Sequence, residues 1–294
     1  SNTPLTPLAT TIGSLIFGAG IILAGGCATG TYYRAGEGLI GSWLALITYA
    51  VSAAMMKKGV LRPVNDGLQN ANNTGLTTLH GALDVTPWLF VFALTGGVSW
   101  LTWRHLRAER NLKVASLPPL RTGLAHLLFE KPWHPFVSAI LIGAIATLAY
   151  PLSYSTGRES GLGITTPSAN LAHGLIAGDL SELTNWGTLL VVGIIIGSYI
   201  AAKASGEFRL RVPDTSTLVK ALLGGLAMGI GASLAGGCTI GGSLVGSAEL
   251  SLNGFLSFAG FFAGVGVAAK LFLRPRQKTL ASDASSPAAA PTTI

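Results

Sequence analysis

Residues 13–30 read GSLIFGAGIILAGGCATG, and residues 224–241 read GGLAMGIGASLAGGCTIG. Laid over each other without a gap, they agree at ten of eighteen positions, and Cys27 falls on Cys238 (238 − 27 = 211). These are the chain's only 2 cysteines. The shared string LAGGC is too specific to come from low complexity. Each copy is an apolar run that stops at Gly-Gly-Cys. A duplicated apolar helix that ends this way predicts a membrane protein built from repeats, with broken helices at its centre.

Composition agrees. The 294 residues are 49% apolar and 11% charged, with a mean hydropathy of +0.55. A soluble domain carries about 25% charged residues, so this chain cannot cover itself with a polar surface. Its length allows about seven to nine spans of ~20 residues. The net charge of +7 is ordinary for a polytopic protein whose cytoplasmic loops collect Lys and Arg, and so says little about an anionic ligand. Two cysteines inside apolar runs do not make a disulfide framework. The chain opens on Ser-Asn-Thr and enters an apolar helix almost at once, so residues upstream of Ser1 are expected.

Seven apolar segments are predicted, at 8–26, 39–56, 86–103, 134–152, 186–203, 218–237 and 252–273. After each cysteine comes a short Gly-rich piece, 28–38 and 239–250. Both are too short to span and too apolar for a surface loop, and are read as half-helices or re-entrant stretches. The segments fall into a first half (1–103) with its GGC motif, a basic cytoplasmic linker (104–133), a second half (134–278) with the other motif, and a disordered tail (279–294). The basic stretches 104–132, 203–220 and 274–278 are assigned to the cytoplasm, and 153–185, with Glu159, Asp179 and Glu182, to the outside. The two GGC copies then run in opposite directions. Lys57, Lys58 and Arg62 fall on the outer side in this scheme. A short helix is expected within 161–180, opening near Pro167 or Ser168, with Ser168 as its cap.

Cys27 and Cys238 are the candidate chemistry. Gly25, Gly26, Gly236 and Gly237 remove side chains beside them, so a ligand can come close. A half-helix starting at the break would offer free N–H groups to an anion. A thiol adds a weak donor and a polarizable sulfur without burying a charge. Thr29 and Thr239 complete the expected path. Arg34 and Glu37, three residues apart, are candidates for an ion pair, a gate or a partner-docking charge. Tyr32 and Tyr33 are candidate interface anchors. Ser243, Leu244 and Val245 stand in the second copy where Tyr32, Tyr33 and Arg34 stand in the first. Two thiols make a poor metal site, and the five histidines fall in loops or at segment ends. Glycines elsewhere, such as Gly193 and Gly197, are read as close helix packing.

LAGGCATGTYYRAGEG and LAGGCTIGGSLVGS, with GIIIGSYIAAKASGEFRLRVP leading into the second, resemble the YeeE/YedE family of bacterial sulfur-compound transporters. The resemblance is strongest at 13–60 and 161–273. It implies an all-α, multi-pass inner-membrane protein with inverted repeats and broken helices at the two GGC motifs. It implies uptake of thiosulfate, or of a related sulfur or selenium anion, passed along by path cysteines. Cys27 and Cys238 match two of those cysteines. A third, in an earlier helix, has no candidate here, which agrees with residues missing upstream. A small sulfurtransferase of the TusA/YeeD type is the implied partner. No cofactor, enzyme activity or nucleic acid is implied, and no Walker motif is present for direct ATP use. The rival readings are a passive channel for a small neutral solute and a membrane thiol-redox protein. The latter would need the two cysteine Cα atoms within about 7 Å.

Overall fold

The computed structural model describes residues 4–71, 73–109, 133–157 and 160–272. The tail at 279–294, the charges at 274–278 and most of the basic linker lie outside these residues. The described residues form helices in the order α1 (Pro7–Ala24), α2 (Ala28–Gly36), α3 (Ile40–Lys57), α4 (Arg62–Asn70), α5 (Leu79–Leu83), α6 (Pro87–Glu109) and α7 (Pro135–Ser155). There follow α8 (Thr165–Ala177), α9 (Leu180–Leu183), α10 (Trp186–Ser205), α11 (Thr215–Leu234), a π-helical turn (Thr239–Val245), α12 (Gly246–Ala248) and α13 (Leu252–Phe272). The described residues contain no strand, only isolated bridges at Leu39–Arg211 and Thr78–Ser251.

Each of the seven predicted apolar segments forms a helix, but 6 helical stretches among the described residues are both long and apolar enough to cross a membrane. The one that falls short is α6. Its C-terminal end carries Arg107 stacked on Trp103 (3.7 Å) and Arg104 over Trp100 (5.5 Å). This is a composition suited to the headgroup level. The outward side chains of the other long helices are apolar, among them Ile140, Leu189 and Phe262. With no polar cover, that surface requires lipid, and the chain is a multi-pass membrane protein.

The repeat is written in the packing. A Cβ placed on Gly13 would lie 2.7 Å from the carbonyl oxygen of Gly231, and one on Gly20 would lie 2.8 Å from that of Gly224. Residue numbers rise along α1 as they fall along α11, so the two copies are antiparallel. Adding the offset of 211 turns Gly13 into Gly224 and Gly20 into Gly231. The first contact therefore becomes the second, as a pseudo-two-fold axis requires. The next helices obey it too. Helices α3 and α13 begin at Ile40 and Leu252, an offset of 212. Gly225 packs on Ala45 and Thr48 of α3, and Ser14, its partner in the first copy, packs on Gly260 of α13. The units α1–α3 and α11–α13 are thus inverted repeats. Their shared centre holds Phe17 and Met228, which occupy the same repeat position, with Phe17 and Phe261 at 4.8 Å between ring centroids.

Three local expectations are corrected. Helix α8 starts at Thr165, and Ser168 lies inside its first turn rather than at its cap. The Ser168 hydroxyl bonds back to the Ile164 carbonyl at 2.7 Å and meets the Tyr32 hydroxyl at 2.7 Å. Tyr32 is therefore wholly buried rather than an interface anchor, whereas Tyr33 is exposed. Gly193 and Gly197 have open space around them and close no packing within this chain. The basic residues at the far end of α3 are engaged: Lys57 Nζ donates to Thr166 Oγ1 at 2.8 Å, Lys58 pairs with Glu182, and Arg62 meets Asp66 at 3.3 Å.

Candidate functional site

Both GGC phrases break their helices. Helix α1 ends on Gly25, whose φ of 75° is left-handed, and the Gly26 N–H reaches back to the Ile21 carbonyl at 2.9 Å. That six-to-one bond closes a helix where a residue without a Cβ is available. Helix α11 ends one position earlier, at Leu234, and Gly236, the counterpart of Gly25, has a φ of 81°. The cysteines come next, in extended conformation, and each occupies the cap position of the following short helix. Cys27 Sγ accepts the Gly30 N–H at 3.4 Å, a weak cap. Cys238 makes no such bond, because the turn after it is π-helical rather than α-helical. Such turns are rare and cluster at functional sites.

The second glycine of each pair differs. A Cβ on Gly237 would lie 2.5 Å from the Gly242 backbone nitrogen, whereas one on Gly26 would meet only the Arg34 guanidinium, at 3.0 Å. Arg34 does not pair with Glu37. It donates from Nη1 to the Gly25 carbonyl oxygen and so fastens α2 to the broken end of α1. Glu37 caps the C-terminus of α2.

A cavity opens beside each break. One, of about 250 Å³, lies between the loop before α8 and the second break, and its walls include Gly236, Val245, Ser251, Asn253 and Gly254. The other, of about 350 Å³, lies beside the first break, and its walls include Gly25, Arg34, Leu39, Gly41 and Ser42. These two sets correspond one to one under the repeat offsets. The cavities are therefore images of each other at opposite ends of the inverted pair. The second is completed by Arg211 and Pro213 from the basic stretch before α11.

Between them the protein is closed. Cys238 is 1% exposed and packs in the cluster that holds Phe17, Tyr32, Tyr49, Ile164 and Met228. Cys27 is half-buried. Tyr49 packs in the same cluster as Cys238, and its hydroxyl donates to Thr165 Oγ1 at 3.0 Å. The hydroxyls of Thr29, Ser243, Ser247 and Ser251 are out of solvent and have no hydrogen-bond partner. Four idle donors beside the two breaks suit a ligand that accepts hydrogen bonds. No group of three His, Cys, Asp or Glu side chains that could hold a metal ion occurs among the described residues.

A family model described as "Sulphur transport" matches residues 1–267. The chain is 50% identical over 280 residues to the thiosulfate transporter TsuA of Escherichia coli K12, covering 95% of this chain and 79% of that protein. It is 32% identical over 275 residues to the thiosulfate transporter TsuA of Spirochaeta thermophila, covering 89% of this chain and 76% of that protein. The chain belongs to the sulphur transport family. Within this family member, the glycines singled out in the sequence fall at the breaks, Cys238 falls in the core, and Thr239 opens the π-helical turn. Wall residues outside the two GGC phrases, such as Leu39, Gly41, Ser251 and Asn253, were not legible in the sequence, and Arg211 stood there only as loop charge. The offset that relates Leu39 to Ser251 and Gly41 to Asn253 emerges only from the packing of α3 and α13.

Proposed function

We propose that this protein carries thiosulfate across the bacterial inner membrane, from the cavity at the second break to the cavity at the first. It acts as a transporter and not as an enzyme. The observation that carries this reading is the pair of repeat-related cavities, one beside each GGC break, with the closed cluster around Cys238 between them. Backbone N–H groups in the first turns after the breaks, at Ala28 and Thr29 and at Thr239 and Ile240, and the idle hydroxyls of Thr29 and Ser251, offer hydrogen bonds to oxyanion oxygens without a fixed positive charge. The thiols of Cys238 and Cys27 offer weak donors and polarizable contact to the terminal sulfur as it passes. Gly26, Gly237, Thr29 and Thr239 line the same path. The closed centre is one state of a carrier that opens alternately to its two ends.

The Lys203, Arg209, Arg211 and Lys220 stretch orients the first-break cavity to the cytoplasm. A sulfurtransferase of the TusA/YeeD type would collect the anion there, with Glu37 near the exit. The names of the two relatives support thiosulfate over selenium anions. The test is uptake of labelled thiosulfate by cells lacking other routes, with sulfate and selenite as competitors. Uptake should depend on the protein, be blocked by excess unlabelled thiosulfate, and fall strongly in Cys27→Ala and Cys238→Ala. Unchanged uptake in both variants rejects the thiol path and favours a passive channel.

A further inference from the structure

The two cavities have the same architecture and opposite electrostatics. Arg34 lines the first-break cavity at the register where Val245 lines the other. Arg211 lines the first-break cavity as well. Among the described residues no carboxylate pairs with Arg34 or Arg211. The nearest acids along the chain are Glu37, which stands at the C-cap of α2 without pairing with Arg34, and Asp214, which accepts bonds from Thr217 Oγ1 (2.6 Å) and from Ser216 Oγ and so is already engaged. Two guanidinium groups thus share one concavity with no counter-ion from the protein. Its volume of about 350 Å³ is on the order of ten waters at ~30 Å³ each, which is room for a small anion and part of its hydration shell.

We propose that this cavity is a release site for a divalent oxyanion, with Arg34 as its gate and Arg211 as its second cation. The proposal rests on the transport reading above. Arg34 holds the carbonyl end of α1 through the Gly25 oxygen, which is the contact that ties the first break shut. A guanidinium has five N–H donors. Its bond to a neutral carbonyl is weaker than a bidentate, charge-assisted bond to an oxyanion. An anion emerging past Cys27 therefore competes for Arg34, draws it off Gly25, and loosens the break by the same event that binds it. The cavity at the other end has Val245 in place of the arginine, and its wall carries Glu249, whose carboxylate accepts the Tyr150 hydroxyl at 2.9 Å; an anion is held there by the hydroxyl and amide donors of Ser251 and Asn253 and by no cation. The two ends of an otherwise symmetric pair thus differ in how they hold the anion, through one arginine that only one repeat carries.

The test uses the purified full chain in phosphatidylcholine vesicles, where no anionic lipid competes, with the basic face outward. Phenylglyoxal modification of Arg34 and Arg211 is followed by peptide mass spectrometry, with and without thiosulfate or sulfate. Exchange of labelled thiosulfate is measured in parallel for the wild type, Arg34→Gln, Arg34→Lys and Arg211→Gln. Both anions should slow modification of Arg34 about tenfold or more. Arg34→Gln should lower exchange about tenfold, and Arg34→Lys should restore part of it, because a point charge binds the anion without the fork. The proposal falls if the wild type exchanges thiosulfate while neither anion protects Arg34 and both Gln variants exchange normally. Protection of Arg34 without any exchange would leave the site standing and remove the transport reading instead. Should Arg34→Gln fail to reach the membrane, wild-type protection and the exposed Arg211→Gln variant still decide.

Discussion

Gly13 lies against the carbonyl of Gly231, so closely that a Cβ on Gly13 would stand 2.7 Å from that oxygen. Its repeat image is the pair Gly20 and Gly224, where a Cβ on Gly20 would stand 2.8 Å from the Gly224 carbonyl oxygen. Alanine at Gly13 or Gly231 must push two central helices apart. The expected cost is about 1–3 kcal/mol, the usual range for overpacking a close contact. Gly193→Ala and Gly197→Ala, with open space around them, should leave thermal unfolding in detergent at the wild-type temperature. Equal losses at all four positions would refute the pseudo-two-fold packing.

The second glycines of the two breaks should separate in the same way. Gly237→Ala drives a methyl into the Gly242 backbone, which cannot move without unwinding the π-helical turn. It should abolish uptake and lower the yield of folded protein. Gly26→Ala meets only the flexible end of Arg34 and should retain folding, with uptake altered through the Arg34 contact. Folded yield by size-exclusion chromatography, read beside uptake, distinguishes these outcomes from equal loss in both.

Serine discriminates the two cysteines. At Cys27, half-buried and already acting as a cap, a hydroxyl accepts the Gly30 N–H better than sulfur does. Cys27→Ser should therefore fold as well as wild type while transporting poorly. At Cys238, inside an apolar cluster, a hydroxyl without a partner costs about 1–3 kcal/mol, so Cys238→Ser should lose stability as well as uptake. Wild-type uptake by Cys27→Ser would show that capping, not sulfur, is what position 27 supplies.

At the opposite end from Arg211, Lys58 pairs with Glu182, which also meets His173 Nδ1 at 3.1 Å. The hydrogen bond from Lys58 is the main reason that the Glu182 carboxyl is held below its usual range, against partial desolvation that would raise it. A lowered carboxylate pKa stabilises the fold above the unfolded value of about 4.3. That contribution disappears as pH falls through the lower folded value. The wild type should therefore lose melting temperature on acidification below about pH 4, and Lys58→Met should lose less, having given up the pair already. Parallel melting curves for the two proteins from pH 7 to pH 3 would contradict this.

What the sequence determined by itself is what single residues carry locally. Hydropathy over ~20-residue windows locates the membrane helices, and a glycine that must turn left-handed marks where α1 and α11 stop. The repeat is also legible, because the eighteen-residue stretches that hold Cys27 and Cys238 agree at ten positions, and opposite loop charge predicts the inversion. The tertiary structure alone decided which distant groups meet. Gly13 and Gly20 are packing glycines while Gly193 and Gly197 are not, although all sit in similar apolar runs. Arg34 turns to the Gly25 carbonyl rather than to Glu37, three residues away on its own helix. Tyr32 is buried because Ser168, 136 residues later, comes to its hydroxyl. Periodicity and propensity are properties of a segment, whereas a packing partner or a counter-charge exists only once two segments far apart in the chain have been brought face to face.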